Sequence, residues 1–257
     1  MMRFEYYESI DSTNDELKRR ISGEDGTAID SGLVISAATQ TAGRGRSGHI
    51  WSSPAGSSIA TSMLIWPEGL PESVVPQLTI VAAIAVSQAI EEITGLAASI
   101  KWPNDILIDA CKVSGILVER LICDGKPAII TGIGVNMRRG SYPPELTGKA
   151  VSIQEVLGGA DGSVIDDRSV IEGIWSRYEE AYGIFVRTND LSGLVSYYNS
   201  RLINAGRIVR VLDPAGEYEA RALEIDHSGR LMIEKADGIR LAIDSGEVSV
   251  RGVDGYI

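Results

Sequence analysis

Four consecutive strand-like segments in the middle of the chain constrain its fold more than any other feature. Each is a short apolar run, and turn signals separate them: Pro103 ends the first, and Asp124-Gly125 is a strong hairpin signal before the last. Because strands joined by short turns usually pair with each other, the sequence predicts a meander. The predicted strands are Ala98–Trp102, Asp105–Asp109, Lys112–Cys123 and Pro127–Met137.

The segments on either side of the meander add helices and further strands. Ser12 or Thr13 is expected to cap a helix that ends near Gly23, and Thr13–Glu16 fits a capping box. The apolar spacing of Val74–Thr94 predicts a second helix that Gly95 closes. The other predicted elements are the strands Phe4–Tyr7, Gly32–Ala38 and Ser58–Trp66 and the helices Asp167–Phe185 and Leu191–Leu202.

The pattern changes from Gly206 onward, where five short strand-like runs follow one another with turn signals between them. These runs predict a small β-barrel, so we expect two domains, residues 1–204 and 205–257. The predicted strands of the barrel are Arg207–Leu212, Tyr218–Ile225, Leu231–Glu234, Ile239–Ile243 and Glu247–Val250.

The charge of the chain argues against a nucleic-acid partner. A formal net charge of −11 over 257 residues leaves room only for a local basic patch. Met1–Ile10 lacks the apolar run of a signal peptide, and no segment is expected to approach the ~20 apolar residues of a membrane span. Cys111 and Cys123, on one extended strand, would lie roughly 40 Å apart, which excludes a disulfide. We therefore expect a cytoplasmic protein with reduced thiols and no membrane partner.

A glycine-rich loop with two arginines, Gly43–Gly48, stands out against this acidic background. It matches the G-x-G-x-x-G dinucleotide fingerprint, but no helical pattern follows it, which excludes that interpretation. Its glycines would let backbone N–H groups approach a phosphate, and its arginines would add charge. A mobile surface loop with solvated arginines is the alternative, and the loop alone does not separate the two. Trp51, directly after the loop, is either a core residue or a platform for a ligand ring.

Two lysines, an amide and a carboxylate lie close to predicted strand ends, in Lys101–Asp105 and at Lys112. Taken singly, Pro-Asn-Asp is an ordinary turn and Lys112 a solvated strand edge. In combination they are suited to an anionic group, because Ser114-Gly115 removes bulk beside Lys112. Ser12–Asn14 is at once a helix cap and a candidate site for a polar, uncharged group. We predict no metal ligands and no hydrolase triad, since neither a Cys/His cluster nor G-x-S-x-G occurs.

Taken together and in order, these motifs resemble those of the biotin protein ligase, or biotin–[acetyl-CoA-carboxylase] ligase, family. The resemblance extends from about Glu5 to Arg251. It implies an α+β fold like that of class II aminoacyl-tRNA synthetases, with a mixed, largely antiparallel sheet flanked by helices and a C-terminal SH3-like barrel. The matching segments are Asp11–Asn14, Gln40–Trp51, Lys101–Asp105, Lys112–Glu119 and Gly132–Asn136.

The resemblance also implies a two-step reaction and a role for each matching residue. Biotin and ATP, with Mg²⁺, would give biotinyl-5′-AMP, and biotin would then pass to a lysine of a biotin carboxyl carrier protein domain. Lys112, Arg44, Arg46 and Asp105 would serve catalysis. The implied biotin ligands are Ser12, Thr13, Asn14, Gln40, Arg44, Lys112, Gly115 and Leu117, with Ile116 beside them in an apolar tunnel. The implied ATP or adenylate ligands are Arg46, Trp51, Asn104, Lys112, Asn136 and Arg251.

The chain departs from the family pattern in two places. Ser47, His49 and Ile50 stand where further basic residues often follow the second arginine, which alters how the loop closes. Only eleven residues precede Ser12, so we expect no N-terminal DNA-binding domain and no repressor role; a homodimer is an expectation from the family. The alternatives are a lipoate-protein ligase and a non-catalytic biotin- or carrier-binding module of the same fold.

Overall fold

A computed structural model describes residues 2–23, 29–52, 54–67, 69–158, 165–213, 216–245 and 249–252. Within these residues the chain forms twelve β-strands and five α-helices. The strands are β1 (Arg3–Tyr7), β2 (Leu33–Ala37), β3 (Ser58–Ile65), β4 (Ser99–Lys101), β5 (Asp105–Ile108), β6 (Cys111–Cys123), β7 (Lys126–Asn136), β8 (Ile208–Leu212), β9 (Tyr218–Ile225), β10 (Leu231–Glu234), β11 (Arg240–Ile243) and β12 (Ser249–Gly252). The helices are α1 (Thr13–Ile21), α2 (Leu78–Thr94), α3 (Ile153–Val156), α4 (Asp167–Thr188) and α5 (Val195–Arg201).

Packing divides the chain into two compact units, each made of two stretches. The first comprises Met1–Leu70 and Cys111–Gly173, and the second comprises Pro71–Ala110 and Ile174–Ile257. This division differs from the boundary at residue 204 that the change in sequence pattern predicts, and that boundary stays a prediction.

The first unit contains a mixed sheet in the order β1-β2-β3-β7-β6. β1 runs parallel to β2, and the other neighbours are antiparallel. The β6–β7 hairpin turns at Asp124 and Gly125, whose φ angles of 48° and 76° are those of the type I′ turn that the dipeptide predicts. The mixed, largely antiparallel sheet expected from the resemblance is therefore confirmed.

Helix α1 packs on one face of this sheet through Leu17 and Ile21, which are 0% and 1% exposed. They join a cluster with Leu33, Ile35, Leu64, Ala128 and Ile130 from the strands beneath. Burying each such side chain contributes about 1.5–3 kcal/mol, which fixes the helix on the sheet. Its N-cap is Ser12, whose hydroxyl accepts from the Asp15 N–H, while the Ser12 N–H donates to Asp11 Oδ1 at 2.7 Å. The cap at Ser12 is therefore as predicted, and the capping box predicted at Thr13–Glu16 is wrong.

The second unit contains α2, the antiparallel β4–β5 hairpin, α5 and a C-terminal antiparallel sheet in the order β11-β10-β9-β8-β12. Gly95 closes α2 with a φ of 70°, as predicted. The expectation that no segment approaches the length of a membrane span is wrong by length and composition, because Glu72–Thr94 is 23 residues long and apolar. Since 72% of its most apolar stretch is buried inside the protein, we interpret α2 as a core helix.

Candidate functional site

Glycines form the floor of the candidate site on strands β6 and β7. Gly115 lies opposite Gly134 and Leu117 lies opposite Gly132 in the antiparallel register. Since side chains alternate along a strand, these four residues share one face of the sheet. Ile116 therefore faces the other side, where it is 2% exposed, and its predicted place beside Gly115 and Leu117 in the tunnel is wrong.

The N-terminal end of α1 reaches this floor at Gly132. A side chain on Gly132 would lie 2.9 Å from Asn14 Cγ and 3.1 Å from its Nδ2, so the Asn14 amide occupies space that only glycine leaves open. Ser12, Thr13 and Asn14 are all at most 4% exposed. The sequence-predicted polar cluster is therefore buried at the edge of the glycine floor.

Gln40 and Ser62 complete the polar group around Thr13. The Thr13 N–H donates to Gln40 Oε1 at 2.8 Å, and the Thr13 hydroxyl lies 2.6 Å from the Ser62 hydroxyl and 3.1 Å from Gln40 Oε1. Ser62 in turn donates to Asn14 Oδ1 at 2.6 Å. Ser62 was not predicted, because its relevance depends on the pairing of β3 with β7, which places it opposite Gly132.

The loop Gly43–Gly48 has defined backbone geometry within the described structure. Arg44 bridges to Ile50, Gly45 N–H donates to His49 O at 2.7 Å, and Arg46 begins a short 3₁₀ turn. Gly43 lies against the Trp51 carbonyl and the Gln40 amide, where no larger side chain fits. The loop thereby fixes Trp51 relative to Gln40.

Trp51 lies over the glycine floor. A side chain on Gly134 would come within 2.7 Å of the indole Cζ2, and one on Gly115 would lie 3.1 Å from Cζ3. The Lys112 ammonium lies 5.7 Å from the centroid of the indole ring, within the range of a cation–π interaction. The indole Nε1 is buried and has no hydrogen-bond partner among the described residues.

Lys112 is held in place through its backbone. Its N–H donates to Lys149 O, and its carbonyl accepts from the Val151 N–H. The Asn136 amide donates to the carbonyls of Lys112 and Val151 at 3.3 and 3.2 Å. Asn136, expected as an adenylate ligand, thus also ties the start of β6 to the segment at residue 151.

Four charged side chains meet beside Asn14. Glu119 accepts from Asn14 Nδ2 at 2.8 Å, from Lys18 Nζ at 2.9 Å and from Arg44 Nη2 at 2.7 Å, and Asp15 pairs with both cations. Burial alone would raise the pKa of the Glu119 carboxyl, but hydrogen bonds from Asn14 and Lys18 and the nearby positive charges outweigh it, so its pKa lies below the usual value. Glu119 was assigned no role in the sequence analysis, although it shares a face with Gly115 and Leu117 by strand alternation.

Three predicted residues belong to the second unit. Asp105 begins β5 opposite Lys101, which is 7% exposed, and Asn104 lies in the turn before it. Arg251 is exposed on β12 opposite Arg210. The structure thus brings the predicted residues of the first unit other than Arg46 together around one floor. The functional roles of all these residues, and of Asn104, Asp105 and Arg251, stay predictions.

Within the described residues, no group of three or more His, Cys, Asp or Glu side chains is placed to hold a metal ion. The cysteines Cys111 and Cys123 are both free thiols at the two ends of β6, as predicted.

Two family models match this chain. That of the biotin/lipoate A/B protein ligase family matches residues 6–136, and that of the biotin protein ligase C-terminal domain matches residues 205–251. The chain is 32% identical to the biotin–[acetyl-CoA-carboxylase] ligase of Paracoccus denitrificans over 94% of its own length and 98% of that protein. It superimposes with a TM-score of 0.82 and 28% identity on the Aquifex aeolicus biotin protein ligase in complex with biotin and ATP, covering 98% of this chain and 100% of that one.

A further relative is the bifunctional ligase/repressor BirA of Bacillus spizizenii, which is 36% identical over 81% of this chain. The chain spans 63% of the length of that relative. By these matches, the chain belongs to the biotin/lipoate A/B protein ligase family, and its C-terminal sheet belongs to the biotin protein ligase C-terminal domain.

Proposed function

We propose that this protein is a biotin protein ligase, an ATP-dependent, AMP-forming enzyme. It activates biotin to biotinyl-5′-AMP with MgATP as the second substrate and transfers the biotinyl group to a lysine of a biotin carboxyl carrier protein domain. The observation that carries the proposal is the glycine floor, which has the buried Asn14 amide against it at Gly132 and the Lys112 ammonium against it at Gly115. Thr13 and Gln40 extend the polar group beside Asn14.

The two kinds of polar group against the floor suit the two ends of biotin. Thr13, Asn14, Ser62 and Gln40 are uncharged and can exchange hydrogen bonds with a neutral ureido ring. Gly115, Gly132 and Gly134 leave room for the Asn14 amide, the Trp51 ring and the Lys112 side chain against the sheet. Lys112 provides a cation for the carboxylate of the valeryl chain, and Leu117 supplies apolar contact. Ser12 supports this arrangement by capping α1.

The adenylation step determines where positive charge is needed. A carboxylate must attack the α-phosphate of ATP, so two negative groups approach each other and the barrier falls when cations are fixed near both. We assign this role to Lys112, with Arg44 and Arg46 from the glycine-rich loop. Trp51 offers an aromatic face for adenine, with Asn136 near it as a further adenylate ligand. Asn104, Asp105 and Arg251 complete the proposed set, with Asp105 activating the acceptor lysine.

Further parts of the proposal rest on the sequence pattern and on the family. They are the carrier-protein partner, a possible homodimer, a cytoplasmic location, the absence of nucleic-acid and membrane partners, and a functional boundary between residues 204 and 205. The net charge of −11 supports the absence of a nucleic-acid partner.

An exchange assay of labelled pyrophosphate into ATP tests the activity. Biotin should stimulate the exchange and lipoate should not, and a carrier domain with its acceptor lysine should then become biotinylated. Stimulation by lipoate would instead favour the lipoate-protein ligase, which shares the family. Biotin binding without any exchange would favour a non-catalytic binding module.

A further inference from the structure

A continuous chain of hydrogen bonds runs from a carboxylate on β6 to the polar end of the candidate site. Glu119 accepts from Asn14 Nδ2 at 2.8 Å, and Asn14 Oδ1 accepts from the Ser62 hydroxyl at 2.6 Å. The Ser62 and Thr13 hydroxyl oxygens lie 2.6 Å apart, and Thr13 contacts Gln40 Oε1. Asn14, Ser62 and Thr13 are 4%, 0% and 3% exposed, so the central residues of this hydrogen-bond chain are shielded from water.

The number of available protons fixes the direction of every bond in this chain. An ionised carboxylate only accepts hydrogen bonds, so Glu119 holds the NH₂ end of the Asn14 amide and turns its oxygen toward Ser62. Each hydroxyl has one proton. Ser62 must give its proton to Asn14, and the proton between the two hydroxyls must therefore come from Thr13.

With the hydrogen bonds pointing this way, two acceptor oxygens lie side by side where the hydrogen-bond chain ends, at Thr13 and Gln40. The proton of Thr13 is directed to Ser62, and Gln40 Oε1 already receives the Thr13 backbone N–H at 2.8 Å. The Thr13 and Gln40 oxygens are nevertheless only 3.1 Å apart. Two acceptor oxygens at that distance repel each other unless a donor lies between them, so the pair favours a ligand that brings an N–H group.

The negative charge of Glu119 keeps the hydrogen bonds pointing from Thr13 through Ser62 to Asn14. Lys18 and Arg44 both contact its carboxylate, which favours the ionised, acceptor-only form. A neutral amide at position 119 would offer both a donor and an acceptor, and the Asn14 amide would then be free to take either orientation.

We propose that Glu119 is a positioning residue that determines ligand specificity, because through Asn14 and Ser62 it makes Thr13 and Gln40 a pair of acceptors that selects a ring N–H. The inference rests on the proposed function, since a biotin ureido ring is the N–H donor it would select. Glu119 itself need not touch the ligand.

The test compares biotin with its two cyclic carbamate analogues, each of which has a ring oxygen in place of one ureido N–H. Dissociation constants are measured by calorimetry for the full chain and for three variants. Ser62→Ala removes the central link of the hydrogen-bond chain. Glu119→Gln removes the negative charge at the half-buried end of the hydrogen-bond chain. Ser36→Ala is the matched control, because Ser36 is also a buried serine and has a 2.8 Å bond to Thr61. Thr61 is the neighbour of Ser62 and faces the other side of the sheet.

We expect the unaltered protein to discriminate strongly against one of the two analogues. Ser62→Ala and Glu119→Gln should each reduce that discrimination about tenfold, the worth of one hydrogen bond to a buried acceptor pair, while Ser36→Ala keeps it. If both site variants weaken biotin and the analogues equally, the hydrogen-bond chain is only structural and the inference is overturned.

Two controls keep this outcome separate from other failures. Melting curves identify a variant that does not fold, and Glu119→Gln still tests the inference if Ser62→Ala is lost in this way. If the unaltered protein binds no biotin at all, the proposed function itself fails, which is a different result from equal weakening in the variants.

Discussion

At the scale of single residues, the candidate site depends on glycines as much as on charged groups. The Asn14 amide lies against Gly132, and the Trp51 indole lies against Gly134 and Gly115. The charged residues then act in a space that these glycines define. The predictions at this scale therefore concern a cation, Lys112, and a glycine of the floor, Gly134.

Replacing Lys112 by alanine should abolish most adenylate formation. Its ammonium lies against Gly115 beside Trp51, and losing one such electrostatic group typically costs on the order of 10²–10³ in rate. Pyrophosphate exchange measures the loss. Lys126→Ala, at the exposed start of β7, is the control and should retain normal exchange; near-normal exchange by Lys112→Ala would refute the assignment.

Adding a methyl group at Gly134 should displace the Trp51 ring. Because a Cβ there would come within 2.7 Å of the indole, we expect Gly134→Ala to weaken nucleotide binding and to cost about 1–3 kcal/mol of stability through overpacking. Calorimetry with ATP and a urea titration measure the two effects.

Gly183→Ala is the matched control for this substitution. Its Cβ would meet only Arg187 Nη1 at 3.8 Å, in the interior of α4, so the change should stabilise the protein by about 0.5–1 kcal/mol. Equal behaviour of the two alanine variants would show that the glycine floor has no special role.

The sequence predicts the site residues that belong to recognisable motifs, and it does not predict those whose place depends on the pairing of distant strands. Thr13 and Asn14 were predicted from a local motif and Gln40 from the family resemblance, and the three residues do lie together. Ser62 had no local signal, and Glu119 had only its alternation with Gly115 and Leu117 along β6. The alignment of β3 with β7 and of β6 with β7 is what brings both residues to Asn14.

At the scale of elements, most helices and strands were predicted to within a few residues, because hydrophobic period and turn residues are local signals. The helix predicted from Leu191 begins only at Val195. Asp190 Oδ1 accepts from the Ser192 N–H and Leu194 N–H donates to Leu191 O, so a tight turn replaces the first helical turn.

The start of α1 should show a pH-dependent stability that comes from Asp11. Hydrogen bonds from the Arg19 side chain at 2.7 and 2.8 Å and from the Ser12 N–H lower its pKa from 3.8 to about 2. Since the pKa is lower in the folded state, the stabilisation is present above about pH 4 and is lost as the pH falls toward 2.

Urea titrations of the unaltered protein and of Asp11→Asn test this prediction. The unaltered protein should be the more stable at pH 7, by a small margin because the pair is partly exposed. The margin should shrink as the pH is lowered from 4 to 2. A margin that stays constant over this range would contradict the assignment to Asp11.

At the scale of the whole molecule, the C-terminal sheet is part of the compact second unit. Trp102 Nε1 donates to Gly229 O at 3.0 Å, and Leu191 N–H donates to His227 O at 2.9 Å. The Asn199 amide both donates to and accepts from the backbone of Ile225. These bonds connect the residue that follows β4 and the helical segments of the unit to β9 and the turn that follows it.

Removing residues 206–257 should therefore disorder the second unit while biotin binding, which we assign to the first unit, remains measurable. The deletion would break the hydrogen bonds of the Trp102 indole and the Asn199 amide, at about 0.5–1.5 kcal/mol for each bond, and it would expose the apolar surface that the sheet covers. Hydrogen exchange should then show lost protection of α2, and turnover should stop. Asn199→Ala, at full chain length, should give a smaller loss of protection in the same segments. A truncated protein that keeps α2 protected and biotinylates its carrier at normal rates would show that neither the second unit nor the reaction requires the C-terminal sheet.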